Sequence, residues 1–73
     1  MFHERFAVVS RLGKHAASER FDSDQVEDAI AEFSLASLAS SHAELIDRSN
    51  GTVITGNFRQ SPDPDAIRQH LAV

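Results

Sequence analysis

The chain reads as a small α+β domain of order ββαββα, with a four-stranded antiparallel sheet in the order 2-1-3-4. Three observations predict it. They are a period-2 apolar pattern near the start, an apolar stripe at three- and four-residue steps in mid-chain, and an Asn-Gly pair between two short aliphatic runs. The 73 residues make one domain, with a core over about residues 2–58 and a connector and short helix over about residues 59–73. A chain of this length buries only about 60% of its unfolded surface, so one modest core is all it can build.

In residues 2–12 Phe2, Phe6, Val8 and Leu12 occupy even positions while Arg5 and Arg11 fall on odd ones, the signature of a half-buried strand. Gly13-Lys14 suits a type II′ turn, and a returning strand over about residues 16–21 then places Phe6 opposite Phe21 and Leu12 opposite His15. Asp22-Ser23-Asp24-Gln25 starts a helix, with Asp22 or Ser23 as its cap. Val26, Ala29, Ile30, Phe33, Ala36 and Ser37 form the helix's apolar stripe, Leu35 and Leu38 widen it, and Glu27, Asp28 and Glu32 lie away from it. Serines at 34, 37, 40 and 41 lower helix propensity and end the helix near Ser40.

Residues 43–48 and 52–55 are two further strands, joined through Ser49-Asn50-Gly51 by a tight hairpin. Asn50-Gly51-Thr52 matches a glycosylation acceptor pattern, but its place between two strands makes it a turn. Phe58 is expected to return an aromatic ring to the core after Gly56 and Asn57 end the strand. Asp63 as cap and Pro64 at the first helical position begin a final helix over about residues 64–72, anchored by Ile67 and Leu71. Too short to be stable alone, that helix docks on this domain or on a partner. A strand, helix, strand crossover is right-handed in nearly all proteins, which sets strand 3 beside strand 1 and gives the order 2-1-3-4. The long helix then covers one face, and Arg5, Val9, Arg11, Ser18 and Arg20 lie on the other.

The run AELIDRSNGTVI (residues 43–54), following an amphipathic helix, resembles the second hairpin of many small bacterial and phage ββαββ proteins of unknown function. The likeness spans residues 26–54 as a pattern. It implies a fold and transfers no catalytic or binding residue.

Composition narrows the chemistry. The absence of cysteine removes disulfides, thiolate zinc sites and thiol nucleophiles together. Histidines 3, 15, 42 and 70 fall in separate elements and none is spaced i, i+4 from another, so no metal set is expected. Glycine occurs only at 13, 51 and 56, which leaves neither a Gly-x-Ser-x-Gly elbow nor a phosphate-cradling loop. No enzyme activity, cofactor or small-molecule substrate is expected. No window approaches a membrane-spanning apolar run and charges interrupt the first residues, so the expected location is cytoplasmic.

Charge is segregated: residues 1–20 carry +2, residues 22–47 carry −7 with no Lys or Arg, and residues 48–73 carry +1, for a net −4. The leading expectation is a non-enzymatic protein-interaction module of adaptor or inhibitor type. It docks through an acidic helix face of Asp24, Glu27, Asp28 and Glu32, or through an exposed strand edge at Val53 and Ile54 that serves a partner or a second copy. The alternative is a nucleic-acid-associated regulator contacting phosphates through Arg5, Arg11, Lys14 and Arg20. A self-assembling structural domain is a third reading.

Overall fold

The computed structural model describes residues 4–11, 13 and 18–71. These carry β1 (Phe6–Arg11), β2 (Glu19–Ser23), α1 (Val26–Ala39), β3 (His42–Asp47), β4 (Thr52–Gly56) and α2 (Pro64–Leu71). The four strands are all antiparallel and lie in the order β2-β1-β3-β4, as the sequence predicts. Both helices contribute to one core, in which Phe6, Val8, Ala43 and Leu45 from the sheet meet Ala29, Ile30 and Phe33 of α1 and Ile67 and Leu71 of α2. The short last helix therefore docks on its own domain.

The first hairpin is shifted by two residues from the expected register. Val8, not Phe6, lies opposite Phe21, and Phe6 faces Ser23. That register excludes Gly13-Lys14 as a two-residue turn; residues 14–17 and the expected Leu12–His15 pair lie outside the described residues. Contacts beyond the hairpin fix the outcome: the Arg5 backbone N–H donates to Asp24 Oδ1 at 2.9 Å, and Arg48 Nη2 donates to Asp22 Oδ1 at 3.1 Å. A shift of two preserves the faces of a strand, so the ring of Phe21 stays on the helix side.

α1 begins without a side-chain cap. Asp22 and Ser23 belong to β2, and Gln25 in an extended conformation occupies the cap position. Ser23 instead braces the entry turn by accepting the Gln25 backbone N–H at 3.0 Å. Ala29, Ile30, Phe33 and Ser37 form the buried stripe and the helix ends at Ser40, as expected. Leu35 and Leu38 do not join the stripe: each is 65% exposed, because at 100° per residue both are rotated away from the line through Phe33 and Ser37.

The second hairpin closes with residues 48–51 between the pair Asp47 and Thr52, so its loop has four residues. Gly51, at φ 77°, donates its N–H to the Asp47 carbonyl at 2.8 Å, a conformation that suits glycine. Phe58 fails to return to the core and is 57% exposed. Its N–H donates to the Ser40 carbonyl, while Asn57 Oδ1 accepts from Arg59 and Gln60 N–H groups and turns the tip outward. Asp63 caps α2 as predicted, accepting the Asp65 N–H at 3.1 Å.

Gly56 packs closely against α1 and the connector before α2. A Cβ there would lie 2.8 Å from Ser37 Oγ, 3.0 Å from Pro62 Cδ and 3.2 Å from Phe33 Cζ. Gly56→Ala is expected to lower stability by about 1–3 kcal/mol through overpacking. Urea midpoints with an unchanged slope measure the loss, and an unaltered midpoint would show that the contact relaxes freely.

Candidate functional site

Three surfaces predicted from sequence can be placed on this scaffold. The four carboxylates expected on the helix do not form one free acidic face: Asp24 precedes α1, and only Glu27, Asp28 and Glu32 lie on it. Glu27 receives a two-pronged contact from Arg68 of α2, Nε to Oε2 at 2.8 Å and Nη2 to Oε1 at 2.6 Å. The hydrogen bond from Arg68 holds the Glu27 carboxyl below its ordinary pKa, and the same bond raises that of the guanidinium. Asp24 accepts the Arg5 backbone N–H, and Glu32 is half-buried on the flank of the helix nearest β2. Asp28 remains exposed on the helix. The element that supplies Arg68 is 41 positions from Glu27, so no local pattern announces the neutralisation.

The basic hairpin is dispersed in the same way. Arg5 leaves the uncovered sheet face and donates from Nε and Nη2 to the two oxygens of Asp47, at 3.1 and 3.0 Å. Arg20 donates from Nε to both oxygens of Asp22. Burial would raise the Asp22 carboxyl, but hydrogen bonds from Arg20 and Arg48 outweigh it and hold the pKa down. Among the described residues Arg11 reaches Ser18 Oγ, at 3.5 Å, and Lys14 lies outside them.

The carboxylate of Asp47, side chain 0% exposed, is the polar centre that sequence reading passes over. Besides Arg5, it takes the backbone N–H of Ser49 at 3.0 Å and the Ser49 hydroxyl at 2.7 Å. The hydrogen bond from Arg5 is the main reason its pKa is lowered, against burial, with Ser49 assisting. A signal exists in the sequence: Ala43, Leu45 and Asp47 share one parity, so an aspartate stands where the pattern calls for an inward residue. With every oxygen engaged, Asp47 is built for architecture.

The third surface is the strand edges and the uncovered sheet face. Across that face Ala7, Ile46 and Val53 stand side by side in register, Ala7 buried, Ile46 half-buried and Val53, at the β4 edge, 45% exposed. Ile54 points the other way and packs against the core. At the opposite edge a groove of about 660 Å³ runs between β2 and the second half of α1, lined by Val8, Phe21, Leu35, Ala36 and Ala39 with Glu32 at its wall. Phe21 is 37% exposed there. This groove and the outward tip of Phe58, with the Arg59 guanidinium 5.6 Å above its ring, were not anticipated, since both depend on the register and on tertiary direction.

Comparison with protein-family models, curated proteins and solved structures finds no match.

Among the described residues no three His, Asp or Glu side chains gather to hold a metal ion. His42 stands on the uncovered face with Nε2 3.3 Å from Glu44 Oε1, and His70 is exposed on α2. No helix among the described residues is long and apolar enough to cross a membrane.

The Asp47 centre carries a pH dependence whose sign follows from its lowered pKa. Its stabilisation is complete above the unfolded carboxylate value of about 4 and is lost as pH falls through the native value below it. Asp47→Asn is expected to cost about 1–3 kcal/mol at neutral pH by weakening charge-assisted hydrogen bonds. In urea titrations the gap between wild type and variant should narrow as pH falls below about 4; a gap independent of pH would mean that the charge contributes nothing.

Proposed function

We propose that this protein is a small non-enzymatic interaction module that accepts an extended segment of a partner protein as a fifth strand beside β4. One observation carries the reading: the apolar row Ala7, Ile46 and Val53 crosses the uncovered face and ends at an edge strand, with Val53 45% exposed at its outer end. β4 runs Thr52-Val53-Ile54-Thr55-Gly56, with no charge and no proline to discourage pairing. A strand added there gains main-chain hydrogen bonds, while alternate side chains extend the row over Val53 and supply specificity.

The ion pairs redirect the choice among surfaces. Glu27 and Asp24 are engaged within the molecule, which weakens the acidic helix face as a docking surface. Arg5 and Arg20 are engaged too, so a phosphate-binding role would require breaking contacts that the fold already uses. Edge pairing needs no such exchange. The reading places the protein with cytoplasmic adaptors or inhibitors, with a protein ligand and neither cofactor nor substrate.

Val53→Lys puts a charge on this edge without touching the core. Capture of the partner from native extract is expected to fall by about tenfold or more, with circular dichroism and melting unchanged. The double variant Asp28→Lys/Glu32→Lys should capture as wild type does. Retained capture by Val53→Lys, or loss confined to the helix variant, would overturn the edge reading.

A further inference from the structure

We infer that two copies of this chain pair through β2, antiparallel and in the single register centred on Phe21. β2 is the outer strand opposite β4, and its sequence is Glu19-Arg20-Phe21-Asp22-Ser23. Its far side faces no other strand among the described residues. When an antiparallel edge pairs with itself about a two-fold axis, one residue lies opposite its own copy and the neighbours pair reciprocally. Three registers are centred on the middle of this strand, and charge separates them.

A centre on Arg20 sets two guanidinium groups face to face, and a centre on Asp22 does the same with two carboxylates. Like charges directly opposite are destabilising. A centre on Phe21 places Arg20 of each copy opposite Asp22 of the other, twice over, on the uncovered face. It also stacks the two Phe21 side chains on the helix side. Arg20 and Asp22 already share that face, with Nε to Oδ2 at 3.1 Å and side chains 57% and 31% exposed, so the cation needs only to bridge to the second carboxylate.

The helix side supports the same register. The two-fold axis stands perpendicular to the sheet, so both helical layers fall on one side and both grooves meet at the seam. Phe21 and Leu35, 37% and 65% exposed in one copy, are the apolar groups at that seam. A single small core gains from covering them. Glu19 then faces Ser23, which opposes no charge. This surface is distinct from the β4 edge, and either can hold without the other.

Charge exchange tests the register. Light scattering and sedimentation of the full chain over a concentration series should show a dimer of twice 8.0 kDa. Arg20→Asp and Asp22→Arg, alone, should each dissociate about tenfold or more readily, because each sets like charges opposite. An equimolar mixture of the two should recover the dimer. In the mixed pair the carboxylate introduced at position 20 of one copy faces the guanidinium introduced at position 22 of the other, and the native Asp22 of the first still faces the native Arg20 of the second. Asp22 also holds Arg48, so circular dichroism checks the fold of the Asp22→Arg variant. Should it unfold, Phe21→Lys must give a folded monomer. A wild-type monomer at all concentrations overturns the inference, as does a dimer indifferent to Arg20→Asp or single variants that the mixture fails to rescue.

Discussion

The ion pair between Arg5 and Asp47 is the constraint around which the rest of the molecule is arranged. A carboxylate removed from water costs several kcal/mol unless donors replace the solvent, and here four do so from two directions. The Arg5 residue extends the node further. Its carbonyl accepts the Arg48 N–H, its own N–H reaches Asp24 before α1, and its guanidinium lies 4.8 Å over the ring of Phe6. One residue thus joins the entry to β1, the end of β3 and the start of the helix. A slip of one residue in the β1–β3 pairing would turn the Asp47 carboxylate to the opposite face and leave a cation unanswered. The pair's main effect is therefore on register, in keeping with the modest net stability that partly buried ion pairs provide.

That arrangement resolves the segregated charge of the chain. The stretch with seven carboxylates and no cation looks, along the sequence, like a surface awaiting a basic partner. Folding brings cations to it from both ends: Arg5 and Arg20 from the first hairpin, Arg48 from the second turn and Arg68 from the last helix. Linear charge segregation here is a record of which elements become neighbours. The surface left over is mixed in sign, and electrostatics stops pointing to any single docking face.

What was legible in the sequence was whatever short-range physics decides. The helix stripe of Ala29, Ile30 and Phe33, the Asp63-Pro64 start of α2 and the glycine of the second turn each follow from periodicity or backbone preference. Strand order followed from chain chirality. Misplaced were the first register, which Asp24 and Asp22 settle through residues 19 and 26 positions away, and Phe58, whose direction depends on a bond to Ser40. Leu35 and Leu38 looked like core because apolar character carries no direction of its own. Asp24 and Glu27 were legible as carboxylates but not as occupied ones.

In the proposed assembly the two sheet edges divide the work of association between them, and their chemistry keeps them apart. α2 completes the helical layer around Phe33, Ile67 and Leu71, while the flank beside β2 is left with a groove. An edge that pairs with the opposite edge of another copy generates an open-ended filament, whereas an edge that pairs with itself closes after two. Laying β4 against β2 would oppose Arg20 and Asp22 with threonine and valine, which add no charge contact across the seam to the Arg20–Asp22 pair within each copy. The alternation of charge in β2 thus favours the proposed closed contact over the polymerising one. Closure at β2 in turn leaves a β4 edge at each end of a continuous sheet, free to receive a strand of different sequence.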